Sequence, residues 1–406
     1  MKTKIYSLLI ICAALLSSQR TNAQAHCGQI YSDTLFQYTM STVTYSDTFA
    51  QQMDIYQPVG DTVTKRPLIV LAHGGSFVGG DRTADVTVVR LCRLFAQRGY
   101  VTASIDYRLA SFAQIGDSSA IINEVIRALS DGKAAVRYFT KDAANANLYK
   151  VDTSRLFVGG NSAGAVMAMH YGYIDSVNET PGYLQTIINN NGGLDGNSGN
   201  AGYKSKVNAV INLAGGLNIP SWVGPGNVPS VNAQGDQDAT VPYNCADAVN
   251  GAVPVRLCGL GAIEPFYQSE SILHRSHVFP GEGHVPWDNV AADFIYIDSM
   301  ITNFLTDNFV PSYAYCVTTT GINQIASGAE ISLYPNPATS VVNIRSSVPV
   351  STINIYDETG RQVSFMGNLN SLTYQINTSN LSKGVYFVKF ETGNNAVPTV
   401  KRIVIE

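Results

Sequence analysis

The segment Arg155-Leu-Phe-Val-Gly-Gly-Asn-Ser-Ala-Gly-Ala-Val-Met-Ala-Met-His170 puts a serine where an apolar run stops at glycines and restarts with helical spacing. A serine hydroxyl is a weak nucleophile until a base takes its proton, so the chemistry this corner suits is base-assisted attack on an electrophilic carbon. In Gly160-Asn161-Ser162-Ala163-Gly164 the glycines let the backbone turn sharply from strand to helix, holding Ser162 strained with its hydroxyl exposed. A helix starting just after Ser162 aims free N–H groups, that of Ala163 first, at negative charge developing beside the serine. Alone, the pentapeptide is equally an ordinary glycine-rich turn, and only the flanking elements decide between the two.

Those elements have the required character. Arg155 to Val158 reads as a short buried strand, and Ala163 to Tyr171 has the small apolar residues of a helix lying close against a sheet. Upstream, the apolar strand Pro67-Leu-Ile-Val-Leu-Ala72 ends in His73-Gly74-Gly75-Ser76-Phe77. The N–H groups of Gly75 and Ser76 are expected to form the other side of an oxyanion hole, glycine allowing close approach of the main chain. A plain strand-to-helix turn is the alternative there, but two such turns in this order argue for the pair.

On these motifs the chain resembles the α/β-hydrolase superfamily, and within it the esterases and lipases with an HGG-type oxyanion loop. The likeness runs from roughly Val43 to Leu305. Asp54-Ile-Tyr-Gln-Pro58 resembles the entry strand, Ser104-Ile-Asp-Tyr-Arg-Leu109 the segment before the first large helix, and Asp131-Gly-Lys-Ala-Ala-Val-Arg137 the helix leading to the nucleophile strand. Ser76 stands where a third glycine is usual, and Asn161 where an acidic residue is frequent. The resemblance implies a doubly wound, mostly parallel α/β sheet.

It also implies the chain order serine, acid, histidine. Of six histidines, only His274, His277 and His284 lie downstream of a suitable acid. His284 is favoured because it sits in the glycine-rich loop Pro280-Gly-Glu-Gly-His-Val-Pro286, whereas His274 and His277 flank the start of a strand. The acid comes from the turn holding Asp236 and Asp238; Gly235-Asp-Gln-Asp-Ala-Thr-Val-Pro242 resembles the superfamily's Gly-x-x-Asp-x-x-Val-Pro pattern, which favours Asp238. Carboxylates two apart in a turn point in different directions, so one can reach a histidine while the other caps the turn.

The 406 residues suggest two or three domains, and an apolar content of 45% is ample for a core. Met1 to Ala23 reads as a signal peptide, with Lys2 and Lys4 ahead of an apolar stretch from Ile5 to Leu16. Removing it takes away Lys2, Lys4 and Arg20 and no acid, lowering the formal charge of −4 by three, to −7. A mildly acidic surface argues against nucleic acid or anionic membrane as partner. No later segment is long enough for a transmembrane helix.

Export permits disulfides, and five cysteines follow the signal. Cys245 and Cys258 are expected to close the excursion between acid and histidine, and Cys27 and Cys316 to staple the ends of the hydrolase region. Cys92, inside the expected helix Thr87 to Arg98, remains as a buried thiol.

Between Asp175 and Lys206 the pattern dissolves into Asn189-Asn-Asn-Gly-Gly-Leu-Asp-Gly-Asn-Ser-Gly-Asn-Ala-Gly202, a flexible insertion, either a small lid or a surface loop. Trp222 and Trp287 either line a substrate pocket or pack. From Ile331 onward short alternating strands recur: Val341 to Arg345, Thr352 to Tyr356, Tyr374 to Asn377, Gly384 to Phe390 and Val400 to Ile405 fit a small β-sandwich. Tyr334-Pro-Asn-Pro-Ala338, Tyr356-Asp-Glu-Thr-Gly-Arg361, Leu381-Ser-Lys-Gly-Val-Tyr-Phe387 and Lys401-Arg402 resemble the sorting domain of the type nine (Por) secretion system. That resemblance implies export through the outer membrane and the secretion machinery as partner; a carbohydrate- or cell-wall-binding module is the competing reading.

The expected organisation is a signal peptide (1–23), an α/β-hydrolase domain (24–315), a linker (316–329) and a β-sandwich (330–406). The expected function is that of a secreted serine esterase working without metal or organic cofactor. Ser162 is its nucleophile, His284 the base, Asp238 the acid, and Gly75, Ser76 and Ala163 hold the oxyanion. Acetyl or feruloyl esters of polysaccharide, or other short-chain esters, are the substrates considered. An unprotonated histidine sets a neutral to alkaline optimum. The rivals are a prolyl-oligopeptidase-type serine peptidase and a non-catalytic binding protein on a hydrolase scaffold.

Overall fold

The structure, a computed structural model, describes residues 26–317, 331–357, 361–367, 369–392 and 399–405. The signal-peptide reading and most of the expected linker lie outside them. The chain forms two compact units, 1–319 and 320–406.

The first unit runs β1 (His26–Gln29), β2 (Gln37–Thr44), β3 (Gln52–Val59), β4 (Arg66–Ala72), α1 (Val86–Gln97), β5 (Val101–Ile105), α2 (Ser118–Ala144), β6 (Val151–Asn161), α3 (Ala163–Tyr173), α4 (Gly182–Asn190) and β7 (Ala209–Leu213). It continues with β8 (Ser230–Gly235), β9 (Cys245–Ala248), β10 (Val253–Cys258), α5 (Leu260–Ser269), β11 (His274–Phe279), α6 (Ala291–Asn308) and β12 (Ala314–Val317). Eight strands form one sheet in the order β11-β8-β7-β6-β4-β5-β3-β2. The six from β11 to β5 are parallel, and β3 and β2 add an antiparallel edge.

Parallel strands covered on both faces read as unbroken apolar runs, and β4, buried throughout, is one. Its side chains divide by the period of two: Leu68, Val70 and Ala72 pack into the core with α2 and α3, while Ile69 and Leu71 pack into the core with α1 and α6. Asp85 starts α1 by accepting the Val88 N–H (3.0 Å), and Asp117 starts α2 by accepting those of Ser119 and Ala120. β1 pairs with β12, with Cys27 opposite Cys316, and the two are joined as a disulfide; Cys245 and Cys258 are likewise bonded, across the β9–β10 hairpin. Cys92 is a buried free thiol, which burial pushes up to about 12.

The 175–206 insertion is more ordered than its composition suggests. It contains α4, and its glycine-rich part is held by buried partners: Lys133 Nζ donates to Leu194 O (2.6 Å), Arg137 to Asp195 O and Gly199 O, and Ser198 Oγ to Asp131, which also pairs with Arg108. The cations responsible lie on α2 and the segment before it, far away in sequence.

The second unit is all-β: β13 (Ile331–Tyr334), β14 (Val341–Asp357), β15 (Gln362–Met366), β16 (Ser371–Asn377), β17 (Gly384–Thr392) and β18 (Thr399–Ile405). The expected strands 341–345 and 352–356 are one long strand, β14. It changes partners where the register shifts between Arg345 and Val350, a gap that accommodates Pro349, which has no ladder donor to offer. Ile353, Ile355, Val388, Phe390 and Ile403 alternate inward to make its core.

Candidate active site

Ser162 stands between β6 and α3 at φ 55° and ψ −118°, a conformation costly for a residue with a Cβ. Its N–H is tied to Leu213 O on the neighbouring strand (2.8 Å), which fixes the corner. The glycines are required by proximity. A Cβ on Gly160 would lie 2.4 Å from the carbonyl carbon of Gly164, and one on Gly164 would lie 2.1 Å from Ala72 O. Helix α3 can therefore press against the end of β4 only with glycine at both places.

His284 follows β11 and brings Nε2 to 2.7 Å from Ser162 Oγ, while its Nδ1 lies 2.8 Å from Asp238 Oδ2. With Nδ1 donating to the carboxylate, Nε2 is left to accept the serine proton. The Asp238 side chain is fully buried, and its charge is met by the N–H groups of Thr240 (2.9 Å) and Val241 (3.0 Å) on Oδ1 and by Gln234 Nε2 (3.2 Å) on Oδ2. Asp236 instead accepts the Gly281 N–H (2.8 Å), holding the loop that carries His284. His274 stacks on Tyr267 and meets Glu264, and His277 packs on Phe279 and Tyr296; neither reaches the serine.

Gly75, Ser76 and Phe77 take φ of 119°, 54° and 60° in succession. The Gly75 carbonyl receives Val78 and Gly79 in a tight turn. No acceptor among the described residues takes the N–H groups of Gly75, Ser76 or Ala163, so these donors are free for a ligand. The Gly74 N–H is not free, since Asp85 Oδ2 accepts it (2.9 Å). Asp85 also accepts from Asn161 Nδ2 (3.2 Å), and Asn161 Oδ1 accepts from Trp287 Nε1 (3.2 Å). Asn161 thus bridges the serine corner to the loop after His284.

Neither tryptophan lines the pocket beside Ser162: Trp287 is buried on Asn161, and Trp222 is buried with its ring edge against His170. Asp85, Gln234 and Tyr107, whose hydroxyl donates to His73 O (2.9 Å) as its ring stacks on the imidazole, join the site without belonging to any of its sequence motifs. Of these, only Asp85 had a local signal, as an acidic residue directly before a helical pattern. Burial holds the His73 imidazole below its usual pKa.

Residues 53–227 match the BD-FAE family model, and residues 332–406 match the secretion system C-terminal sorting domain. A stretch of 119 residues is 34% identical to a probable carboxylesterase 6 of Arabidopsis thaliana, covering 28% of this chain and 32% of that protein. The chain therefore spans about a third of the length of this curated relative. Among solved structures, Thermogutta terrifontis esterase 2 phosphorylated by paraoxon aligns with a TM-score of 0.49 at 19% identity, covering 67% of this chain and 95% of that one. The propionate-bound form of the same esterase aligns at 0.48 and 19%, with the same coverage. Among the described residues no helix is long and apolar enough to cross a membrane. Residues 53–227 thus carry a BD-FAE-type domain on an α/β-hydrolase fold, and residues 332–406 a secretion-system C-terminal sorting domain, the mark of export to the cell surface or beyond it.

Proposed function

We propose that the protein is a secreted serine carboxylic-ester hydrolase that works through Ser162, His284 and Asp238. The observation carrying this reading is the unbroken row from Ser162 Oγ to His284 to Asp238, at 2.7 and 2.8 Å, beside three free N–H donors. His284 Nε2 takes the hydroxyl proton as Oγ bonds to the ester carbonyl carbon. The carbonyl oxygen becomes an oxyanion held by Gly75, Ser76 and Ala163, each such donor contributing roughly 10²–10³ in rate. Collapse breaks the bond to the leaving alcohol, which receives the proton from His284 and departs. Water, deprotonated by the same nitrogen, then attacks the acyl-enzyme; the acid leaves and Ser162 recovers its proton. The Asp238 carboxylate, facing Nδ1, orients the ring and stabilises the imidazolium.

Acetyl or feruloyl esters on polysaccharide and other short-chain esters are the substrates to test, and the sorting domain supplies the contact with the secretion machinery. Turnover of p-nitrophenyl acetate with none of a peptide anilide, together with labelling of Ser162 by a fluorophosphonate, is the expected result. Cleavage of the anilide alone would favour a peptidase. No turnover and no labelling would leave a binding protein.

A further inference from the structure

Two successive peptide planes lead from β4 into the turn that offers Gly75 and Ser76 to the oxyanion, and each is held in place. In the plane joining His73 to Gly74, the carbonyl accepts the Tyr107 hydroxyl (2.9 Å) and the Gly74 N–H donates to Asp85 Oδ2 (2.9 Å). In the next plane the Gly74 carbonyl faces His73 Nδ1 at 2.6 Å. A trans peptide points its C=O and N–H in opposite directions, so fixing that carbonyl fixes the Gly75 N–H. The fit around Gly74 is close. A Cβ there would lie 3.2 Å from Ser162 Cβ and 3.5 Å from Asp85 Oδ2, so a shift of Gly74 is felt at the nucleophile.

Asp85 does two things at once: Oδ1 caps α1 through the Val88 N–H (3.0 Å), and Oδ2 holds Gly74. One carboxylate thereby ties the oxyanion turn to the start of a helix. No lysine or arginine lines the cleft in which it stands, so its charge is met by these N–H groups, by the α1 N-terminus and by Asn161 Nδ2 (3.2 Å). Asn161 gives this bond because its side chain is neutral and has a donor end. Its other end, Oδ1, accepts from Trp287 Nε1 (3.2 Å) in the loop after His284. The other titratable groups about Asp85 are His73, Tyr107, Cys92, His284 and Asp288.

We propose that Asp85 is a positioning residue of the hydrolase, aiming the Gly75 N–H through Gly74, and that Asn161 is the neutral partner that lets this carboxylate stay beside the nucleophile corner. This rests on Ser162 being the hydrolytic nucleophile. The bonds of Asp85 go to Gly74, Val88 and Asn161 and to no reacting atom. An acid at position 161 would set two carboxylates within hydrogen-bonding distance, where they hold together only while they share a proton. Once both ionise they repel, and Gly74 loses its acceptor.

The test uses the full chain and p-nitrophenyl acetate, with kcat and KM measured from about pH 5 to 9. Asp85→Asn keeps a good helix cap but offers one acceptor to two N–H groups. Its kcat is expected to fall by about tenfold to a hundredfold with KM within about twofold, at a melting temperature close to the parent's. Parent kcat is expected to rise with pH to a plateau, as for a base that must be unprotonated. In Asn161→Asp it is expected to fall again on the alkaline side, where the shared proton leaves. Combining Asp85→Asn with Asn161→Asp restores one carboxylate and one amide, and is expected to return the parent's profile shape. Three results would overturn the proposal: an Asp85→Asn kcat within about twofold of the parent's, a parent-shaped profile in Asn161→Asp, or an alkaline fall that persists in the double variant. Should Asp85→Asn fail to fold, the profile of Asn161→Asp decides alone. Parent turnover and fluorophosphonate labelling read the hydrolase assignment separately. Failure of both sinks that assignment and this one together, whereas their success with any of the three results sinks only this one.

Discussion

Around Ser162 the backbone breaks local rules repeatedly: Ser76, Phe77, Ser162 and Val285 are all non-glycine residues at positive φ. In the second unit no described non-glycine residue does so, and its strands alternate inward and outward as simple patterning dictates. One region stores strain that its neighbours must hold in place, through Leu213 O behind Ser162 and Asp85 behind Gly74. The other shows no such departure among its described residues. The difference sets the proposed site apart from the rest of the chain, since strain of this kind persists only where surrounding contacts over-determine it.

The sharpest way to break the contrast is Ser162→Ala. Ester turnover should drop by about 10⁶ with melting temperature and circular dichroism preserved; retained activity would show that the strained corner is not the site. Asp238→Asn should lower kcat by about 10⁴, because the amide offers an N–H where His284 needs an acceptor. A loss below tenfold in steady-state kinetics would remove Asp238 from the proposed row.

Phe390→Ala tests the other region. Emptying this fully buried site should destabilise the second unit by about 3–5 kcal/mol, seen as a lowered calorimetric transition with unchanged turnover of p-nitrophenyl acetate. A matching loss of activity would show the two regions to be energetically coupled.

A smaller effect concerns acid. Burial lowers the His170 pKa from 6.5 to about 4. The unfolded chain therefore binds a proton there between those values while the folded chain does not, so the contribution is present above pH 6.5 and lost as pH falls toward 4. The loss is at most about 3 kcal/mol. Melting temperatures from pH 7 to 4 should fall more steeply for the parent than for His170→Gln; parallel curves would remove His170 as the cause.

Much of this was legible in the sequence because it is local. The serine corner, the His73-Gly-Gly turn and the apolar strands before them are contiguous patterns, and the spacing of Asp238 and the loop around His284 stand out once the order serine, acid, histidine is assumed. What was missed depends on contacts between distant segments. Gln234 looks like any strand residue until Asp238 folds over it, and the loop at 194–200 looks unstructured because the cations that hold it, Lys133 and Arg137, sit some sixty residues earlier. The alternation shows two strands, 341–345 and 352–356, where β14 runs on as one, because the join lies at a change of partners that no local pattern records.

The bond between Cys27 and Cys316 spans 289 residues and joins the paired strands β1 and β12. In the chain-entropy account, closing so large a loop disfavours the unfolded state by about 5–6 kcal/mol. A break in the chain beyond Val317 therefore leaves β1 and β12 of the first unit tied to each other, and with them this share of its stability.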